Sequence, residues 1–362
     1  MIIHGMGQKA LTNNEWRILA GLVHHPTLTD GEVAGRIGVN RSTVAAARRR
    51  FLRDDLLRAV NLPALASLGC ELMCVSFDSS SSMALSDETL RRIDGTVCQG
   101  EMVHYYLEPN QSMVVQFSRD YTRAKRNIEM IEEFYRDNGN LHRGFTNCIF
   151  PLDLTNVIDY FDFKSVLEDR TGSLHGRVPG TTSPYFLERE MEPMTPVDRK
   201  VLMALVEHPA LSDMELSRRI SVSRISIGQK RRRFEREGLI RPIRYPNLKR
   251  LGMEVLVLMH GKFNHKLSNG LKYYIPELLD TVGPVIFAAQ GKDEVVTLSV
   301  FDSFTSYRRS HNEFVTKYRE HELFSEPPQK VLFSIRELRE VRSHSYRGLL
   351  ENLFLKEGEA SP

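Results

Sequence analysis

The stretch Ser223-Arg-Ile-Ser-Ile-Gly-Gln-Lys-Arg-Arg-Arg-Phe-Glu-Arg-Glu-Gly238 has a second copy in this chain, Asn40-Arg-Ser-Thr-Val-Ala-Ala-Ala-Arg-Arg-Arg-Phe-Leu-Arg-Asp-Asp55. Each opens on a residue that favours a helix N-cap. At about 100° per residue, Val44, Ala47 and Phe51 share one face of the first copy, so that face packs inward. The opposite face carries Ser42, Ala45, Ala46, Arg49 and Arg53 in the first copy, and Ile225, Gly228, Gln229, Arg232 and Arg236 in the second.

Two shorter helices precede each copy. In the second, Val197, Val201, Leu202 and Leu205 have helical spacing, with Thr195 as N-cap and Pro196 at the first helical position. His208-Pro209 ends that helix. Ser212-Asp-Met-Glu215 is a capping box, matched by Thr29-Asp-Gly-Glu32, and the helices it opens close at Ile220 and Ile37. Two helices joined by a tight turn and preceded by a third describe a helix-turn-helix. The tail Gly238 to Asn247 then reads as a strand and wing.

Working outward, a shift of about 183 residues lays Leu11–Val75 on Met194–Leu258 without a gap, with about 25 of roughly 65 pairs identical. Thr12 meets Thr195, Pro26 meets Pro209 and Leu68-Gly69 meets Leu251-Gly252. The period is too long for a solenoid unit and reads as a duplicated two-domain module. Glycine, proline, serine and threonine cluster near Thr171 to Pro196, which favours a linker.

The second part of each module follows a β-α-β-β-α-β order. In the second module it runs through Glu254–Met259, Gly270–Val282, Pro284–Gln290, Val295–Phe301, Phe304–His321 and Lys330–Ile335. In the first it runs through Met73–Phe77, Asp87–Ile93, Met102–Leu107, Ser112–Phe117, Thr122–Tyr135 and Arg143–Phe150. This order implies a ferredoxin-like sandwich. Two additions, Val157–Glu168 and Tyr346–Leu355, read as helices. The predicted fold is therefore α+β: a winged helix-turn-helix over 9–69, a ferredoxin-like domain over 70–170, a linker over 171–193, a second pair over 194–252 and 253–340, and a C-terminal helix and tail over 341–362.

The formal charge of the 362-residue chain is only +3, so its distribution decides the partner. Arg224 to Arg250 holds about ten basic against two acidic residues, and Arg41 to Ser67 about six against two. Local density of this kind neutralises phosphate. Arg pairs with guanine, Gln with adenine, and Ile touches the thymine methyl. The expected double-stranded DNA contacts are Arg41, Ser42, Thr43, Ala46, Arg49, Arg50 and Arg53 in the first copy. In the second they are Arg224, Ile225, Ser226, Gln229, Lys230, Arg232, Arg233 and Arg236, with Arg244 and Lys249 from the wing. Gly228 and Ala45 are expected to allow close approach to the bases. Arg48 and Arg231 lie at the edge of the core face, where a structural ion pair competes with DNA contact.

A helix-turn-helix followed by β-α-β-β-α-β resembles the Lrp/AsnC family of transcription regulators. The matching residues are Val197-Asp-Arg-Lys-Val-Leu202, Leu216 to Ile220, Arg236-Glu-Gly-Leu-Ile240, Leu251-Gly252 and the turn Gly291-Lys-Asp-Glu294. The resemblance implies a bacterial or, from the tandem form, archaeal regulator whose second domain senses a small-molecule effector and mediates dimerisation. Family members usually carry one module per chain, so the duplication implies either a homodimer or an intramolecular pseudo-dimer. The effector cleft is assigned to Gly291, Lys292, Asp293 and Glu294, with His104 and Tyr106. The first module has Leu107-Glu-Pro-Asn-Gln111 in place of the glycine-bearing turn.

No apolar run reaches the length of a membrane span, and the N-terminal residues read as a disordered leader, so a cytoplasmic location is expected. Four cysteines give no disulfide framework, and Cys70 and Cys74 read as packing rather than metal ligands. No P-loop, dinucleotide fingerprint or HExxH motif is present, so no cofactor, metal or catalytic residue is assigned and the chain is expected not to be an enzyme. The alternative comes from an enzymatic relative of the family, the siroheme decarboxylases. His104, Tyr105 and Tyr106 form the most enzyme-like cluster, and such an enzyme binds a tetrapyrrole.

Overall fold

The computed structural model describes residues 11–79, 88, 101–137, 144–171, 186, 193–267 and 278–354. The leader, nearly all of the 171–193 linker, the expected helix Asp87–Ile93 apart from Glu88, and 270–277 of the expected helix Gly270–Val282 lie outside these residues.

The first half begins with α1 (Asn13–His24), α2 (Asp30–Ile37), α3 (Arg41–Arg53) and β1 (Leu57–Pro63). It continues through β2 (Leu72–Asp78), β3 (Met102–Glu108), β4 (Gln111–Ser118), α4 (Tyr121–Asp137), β5 (Thr146–Pro151), β6 (Asn156–Tyr160) and α5 (Lys164–Thr171). The second half repeats the plan with α6 (Pro196–Glu207), α7 (Asp213–Ile220), α8 (Arg224–Glu237), β7 (Ile240–Pro246), β8 (Val255–Lys262), β9 (Val285–Gln290), β10 (Glu294–Phe301), α9 (Phe304–Glu320), β11 (Gln329–Ser334), β12 (Arg339–Arg342) and α10 (Arg347–Phe354).

Local chemistry sets the short helices. Capping boxes close the N-termini of α1 (Thr12, Glu15), α2 (Thr29, Glu32), α6 (Thr195, Asp198) and α7 (Ser212, Glu215), satisfying backbone donors the helices leave open. Gly38 ends α2 in the left-handed region, and Ser221 takes the same conformation after α7, with φ 53°. The apolar faces of all six helices join one core through Leu19, Val33, Val44, Phe51, Leu202, Leu216, Ile227 and Phe234.

The segment expected to end in a wing does something else. β7 forms an antiparallel ladder with β1, in which Val60 faces Ile243. By the repeat these two are equivalent residues, so the ladder is centred on a local two-fold relation between the halves. Asn61 Nδ2 donates to the Leu205 carbonyl across the same junction at 2.8 Å. The wing reading is corrected: the backbone of 240–246 finds its partner in the other half rather than folding back as a free hairpin.

The remaining strands make two antiparallel five-stranded sheets, ordered β12-β3-β4-β2-β5 and β11-β8-β10-β9-β6. Each contains four strands of one half and one from the other. β6 pairs with β9, and β12 pairs with β3. The helix expected over Val157–Glu168 is therefore a strand followed by helix α5, with Phe161 between them in the left-handed region at φ 48°. Pairing with a distant edge outweighs the local helical spacing.

Residues alternate between the two faces of each sheet. Met73, Val75, Phe77, Val115 and Phe117 on one sheet and Leu256, Leu258, Val296 and Leu298 on the other join the large shared core. Ile131 and Tyr135 of α4 cover the outer face of the first sheet, and Phe314 of α9 covers that of the second. The layers are thus helix, sheet, sheet, helix. α5 packs on α1 and α10 on α6, tying the sheets to the helical part. Among the described residues, no helix is long and apolar enough to cross a membrane.

Candidate nucleic-acid interface and interdomain cleft

The third helices α3 and α8 sort their basic residues by face. Arg48 Nε lies 2.7 Å from Asp30, and Arg231 lies 2.8 Å from Asp213, its equivalent partner. Each guanidinium also donates to a carbonyl before the second helix, Leu28 or Leu211. These arginines fasten the second helix to the third and are not free to read DNA. Gly228 belongs to the same contact: a Cβ there would lie 3.0 Å from an Asp213 carboxylate oxygen. The expectation that Gly228 admits a base is corrected, since it is buried and makes room for Asp213.

A second group turns toward the first helices. Arg50 pairs with Glu15 of α1, and Lys230 and Arg233 both reach Asp198 of α6, at 2.5 and 2.7 Å. Burial acts to raise the carboxyl pKa of Asp198, but hydrogen bonds from Lys230 and Thr195 and the charge of Arg233 outweigh it and hold the group near 2. Arg50, Lys230 and Arg233, expected at the DNA, are thus engaged inside the fold.

The exposed remainder is Arg41, Ser42, Thr43, Ala46, Arg49 and Arg53 on α3, and Arg224, Ile225, Gln229, Arg232 and Arg236 on α8. Ser226 is half-buried, its amide donating to the Ser223 cap. Arg53 pairs with Asp54 at 2.8 Å, and Arg236 approaches Glu237 at 3.6 Å. Among the described residues, Arg41, Arg49, Arg224 and Arg232 have no ion pair. Ile225, 75% exposed, stands beside Arg224 at the start of α8.

Arg244 and Lys249 leave the expected interface. Arg244 lies in β7 and donates to the Pro26 carbonyl at 3.5 Å, and burial followed by the charge of Arg48 lowers its pKa. Lys249 donates to the Arg336 carbonyl at 2.6 Å. For Arg244 the cause is the β1–β7 ladder, which turns β7 toward the other half, whereas Lys249 is engaged within its own half.

Below that ladder is a cleft of about 160 Å³, lined by Arg58, Tyr106, Tyr245, Asn247, Lys249 and Glu340 among apolar side chains. Behind it runs a polar chain, buried at His104, Tyr160 and Tyr346 and half-buried at His344. His104 Nε2 is 3.2 Å from the Tyr160 hydroxyl, which is 3.1 Å from that of Tyr346, which is 3.2 Å from His344 Nδ1. The Tyr245 hydroxyl donates to Glu340 at 3.1 Å. Burial, followed by the neighbouring His344, holds the His104 imidazole well below its usual range, and burial alone brings His344 to about 3. Both rings are neutral at physiological pH, so each offers one donor and one acceptor.

The expected effector residues are not brought together. Tyr106 lines the cleft and His104 is fully buried behind it. Gly291 to Glu294 form the turn at the far end of β9, with Gly291 against Phe150 and Glu294 bonded to His260. Motif reading missed Arg58, Tyr160, Tyr245, Glu340, His344 and Tyr346. The available signal was mismatch between repeats: His104 stands where the second half has Phe287, and Tyr245 where the first has Leu62.

No family model and no curated protein matches the chain. Among solved structures, the siroheme decarboxylase NirDL aligns over 94% of this chain and 98% of its own, at 12% identity and TM-score 0.47. An AsnC family transcriptional regulator from Agrobacterium tumefaciens aligns over 39% of this chain and 90% of its own, at 13% identity and TM-score 0.31. LrpC of B. subtilis aligns over 40% and 94%, at 20% identity and TM-score 0.28. Likeness at this level assigns no activity. It does correct one expectation: the statement that the chain is not an enzyme is withdrawn, because a neighbour spanning nearly the whole chain is one.

Proposed function

We propose that the chain is a regulator that binds double-stranded DNA through α3 and α8. The observation that carries this reading is the set Arg41, Arg49, Arg224 and Arg232, four exposed guanidiniums on equivalent helices without ion pairs among the described residues. The local two-fold relation of the β1–β7 ladder supports both helices engaging one duplex in successive major grooves. Ile225 and Gln229 on α8 against Ser42 and Ala46 on α3 give the two halves different base preferences. The halves act as an intramolecular pseudo-dimer in the cytoplasm, and a small-molecule effector occupies the cleft beside Arg58, Tyr106 and Tyr245, where it biases the angle between helices and sheets.

The test is selection of binding sites from a random duplex pool, followed by titration at several salt concentrations. Arg49→Ala with Arg232→Ala should weaken binding about tenfold or more and reduce the salt slope by about 1 per lost phosphate contact. An unchanged affinity for the selected site would falsify the assignment.

A second reading rests on the largely buried His104, Tyr160, His344 and Tyr346 chain behind a cleft edged by Arg58 and Lys249. The neutral imidazoles fix the hydroxyls of Tyr160 and Tyr346, and the cations at the cleft edge suit a carboxylate-bearing substrate, for which siroheme is the candidate to add to the purified protein. Substrate-dependent carbon dioxide release that His104→Phe abolishes would establish it.

A further inference from the structure

Away from the helices and the cleft, three side chains of metal-ligating type meet between the two sheets. Cys148 of β5, His260 of β8 and Glu294 of β10 each offer a ligand atom, and these atoms lie within 4.8 Å of one another. Cys148 belongs to the first half, and His260 and Glu294 to the second. Their placement follows from the pleat. Cys148 and Phe150 point inward on β5, and His260 sits on the inner face of β8. Glu294 is a diagonal neighbour of His260, whose direct partner across the ladder is Val296. The His260 Nε2 to Glu294 Oε2 distance is 2.8 Å.

The duplication supplies an internal control. The equivalent place on the other side of the two-fold relation holds Val331, Phe77 and Gln111. There a valine, a phenylalanine and an amide stand in place of the thiol, imidazole and carboxylate, with Gln111 donating to Glu108, so the fold does not require this trio. Phe77 meets its own counterpart His260 edge-on at 6.0 Å, so the two places adjoin across the same interface.

We propose that Cys148, His260 and Glu294 bind one divalent transition-metal ion of the zinc class, which clasps the two halves together. A thiolate, an imidazole and a carboxylate form a mixed sulfur, nitrogen and oxygen set that suits zinc and disfavours magnesium and calcium, which take oxygen ligands. Three protein ligands leave a fourth tetrahedral position for water. The Glu294 side chain is 27% exposed and the His260 side chain 8%, which gives an approach from solvent to the buried sulfur. On binding, the Cys148 S–H bond breaks, its proton passes to solvent, and the sulfur lone pair forms the metal bond.

The test uses the full chain, stripped with a chelator and titrated with cobalt(II), then with zinc(II) in competition. One equivalent of cobalt should give tetrahedral ligand-field bands and a thiolate-to-cobalt charge-transfer band, and zinc should displace it. Cys148→Val, which copies the residue of the equivalent place, should remove the charge-transfer band with the circular dichroism spectrum unchanged. Glu294→Gln should keep the band and weaken affinity at least about tenfold. Absence of the band in the unmodified protein, or its persistence in Cys148→Val, overturns the proposal.

Discussion

The two halves of this chain differ least in the side chains that build their scaffold and most where they face a cavity. Arg48 with Asp30 and Arg231 with Asp213 are the same clasp made twice. Val60 faces its own equivalent, Ile243, and Phe161 and His344 take the same left-handed backbone at equivalent positions, φ 48° and 51°. Against this constancy, His104 answers to Phe287 and Tyr106 to Ala289. A largely buried hydrogen-bonded chain exists on one side, with aromatic and aliphatic packing on the other. The shared elements are thus a scaffold on which the lining side chains differ.

The largest effect that sharpens this comparison lies in the helical cores. Phe51 and Phe234 are both fully buried. Phe51→Ala and Phe234→Ala should each cost about 3–5 kcal/mol in denaturant unfolding. Because the β1–β7 ladder joins the helical parts, both should act on one transition, and two separate transitions would break the picture of a single body.

The next effect separates the two first helices. Asp198 is 2% exposed and holds two cations, whereas Glu15 holds one and its side chain is 21% exposed. Asp198→Ala should cost about 3 kcal/mol by removing the buried acceptor shared by Lys230 and Arg233 together with the α6 capping box, and Glu15→Ala about 1 kcal/mol. The folded pKa of Asp198 is near 2, below its ordinary 3.8. Its contribution is thus complete above pH 3.8 and lost as the pH falls toward 2. Acid titration of the variant should lack that loss, worth on the order of 2 kcal/mol.

A smaller effect concerns binding. On the proposed reading, Arg232→Ala should weaken affinity for the selected duplex by about 1–2 kcal/mol, and Gln229→Ala should relax preference at one base more than it weakens binding overall. Equal loss on specific and random duplex for Gln229→Ala would place that side chain on phosphate instead.

The smallest effect tests the second-helix caps. Gly38 and Ser221 occupy the same left-handed position, which glycine adopts without steric cost. Ser221→Gly should stabilise the second half by up to about 1 kcal/mol, seen as a rise in midpoint.

Much of this was legible in the sequence because it is local. Capping boxes at Thr29 and Ser212, the inward face of Val44, Ala47 and Phe51, and the edge position of Arg48 and Arg231 depend on residues a few positions apart. The exchanged strands were not legible. Val157, Ile158 and Tyr160 form a strand only because β9 of the other half offers an edge, and Arg339 to Arg342 is a mostly charged run whose partner is β3. The wing failed for the same reason. Among the expected contact residues, Arg50, Lys230 and Arg233 were misplaced because a helical wheel shows which side is exposed, not which acid on a neighbouring helix will claim a long side chain.

The traded edge strands have a consequence for what the protein is able to vary. In an assembly of identical subunits every substitution appears twice, so a lone polar pocket or a lopsided reading head is out of reach. Here covalent continuity guarantees that unlike partners meet in equal number, and interlaced edges keep them together. A change such as histidine for phenylalanine is therefore written once, on one side of the axis, without a matching defect on the other.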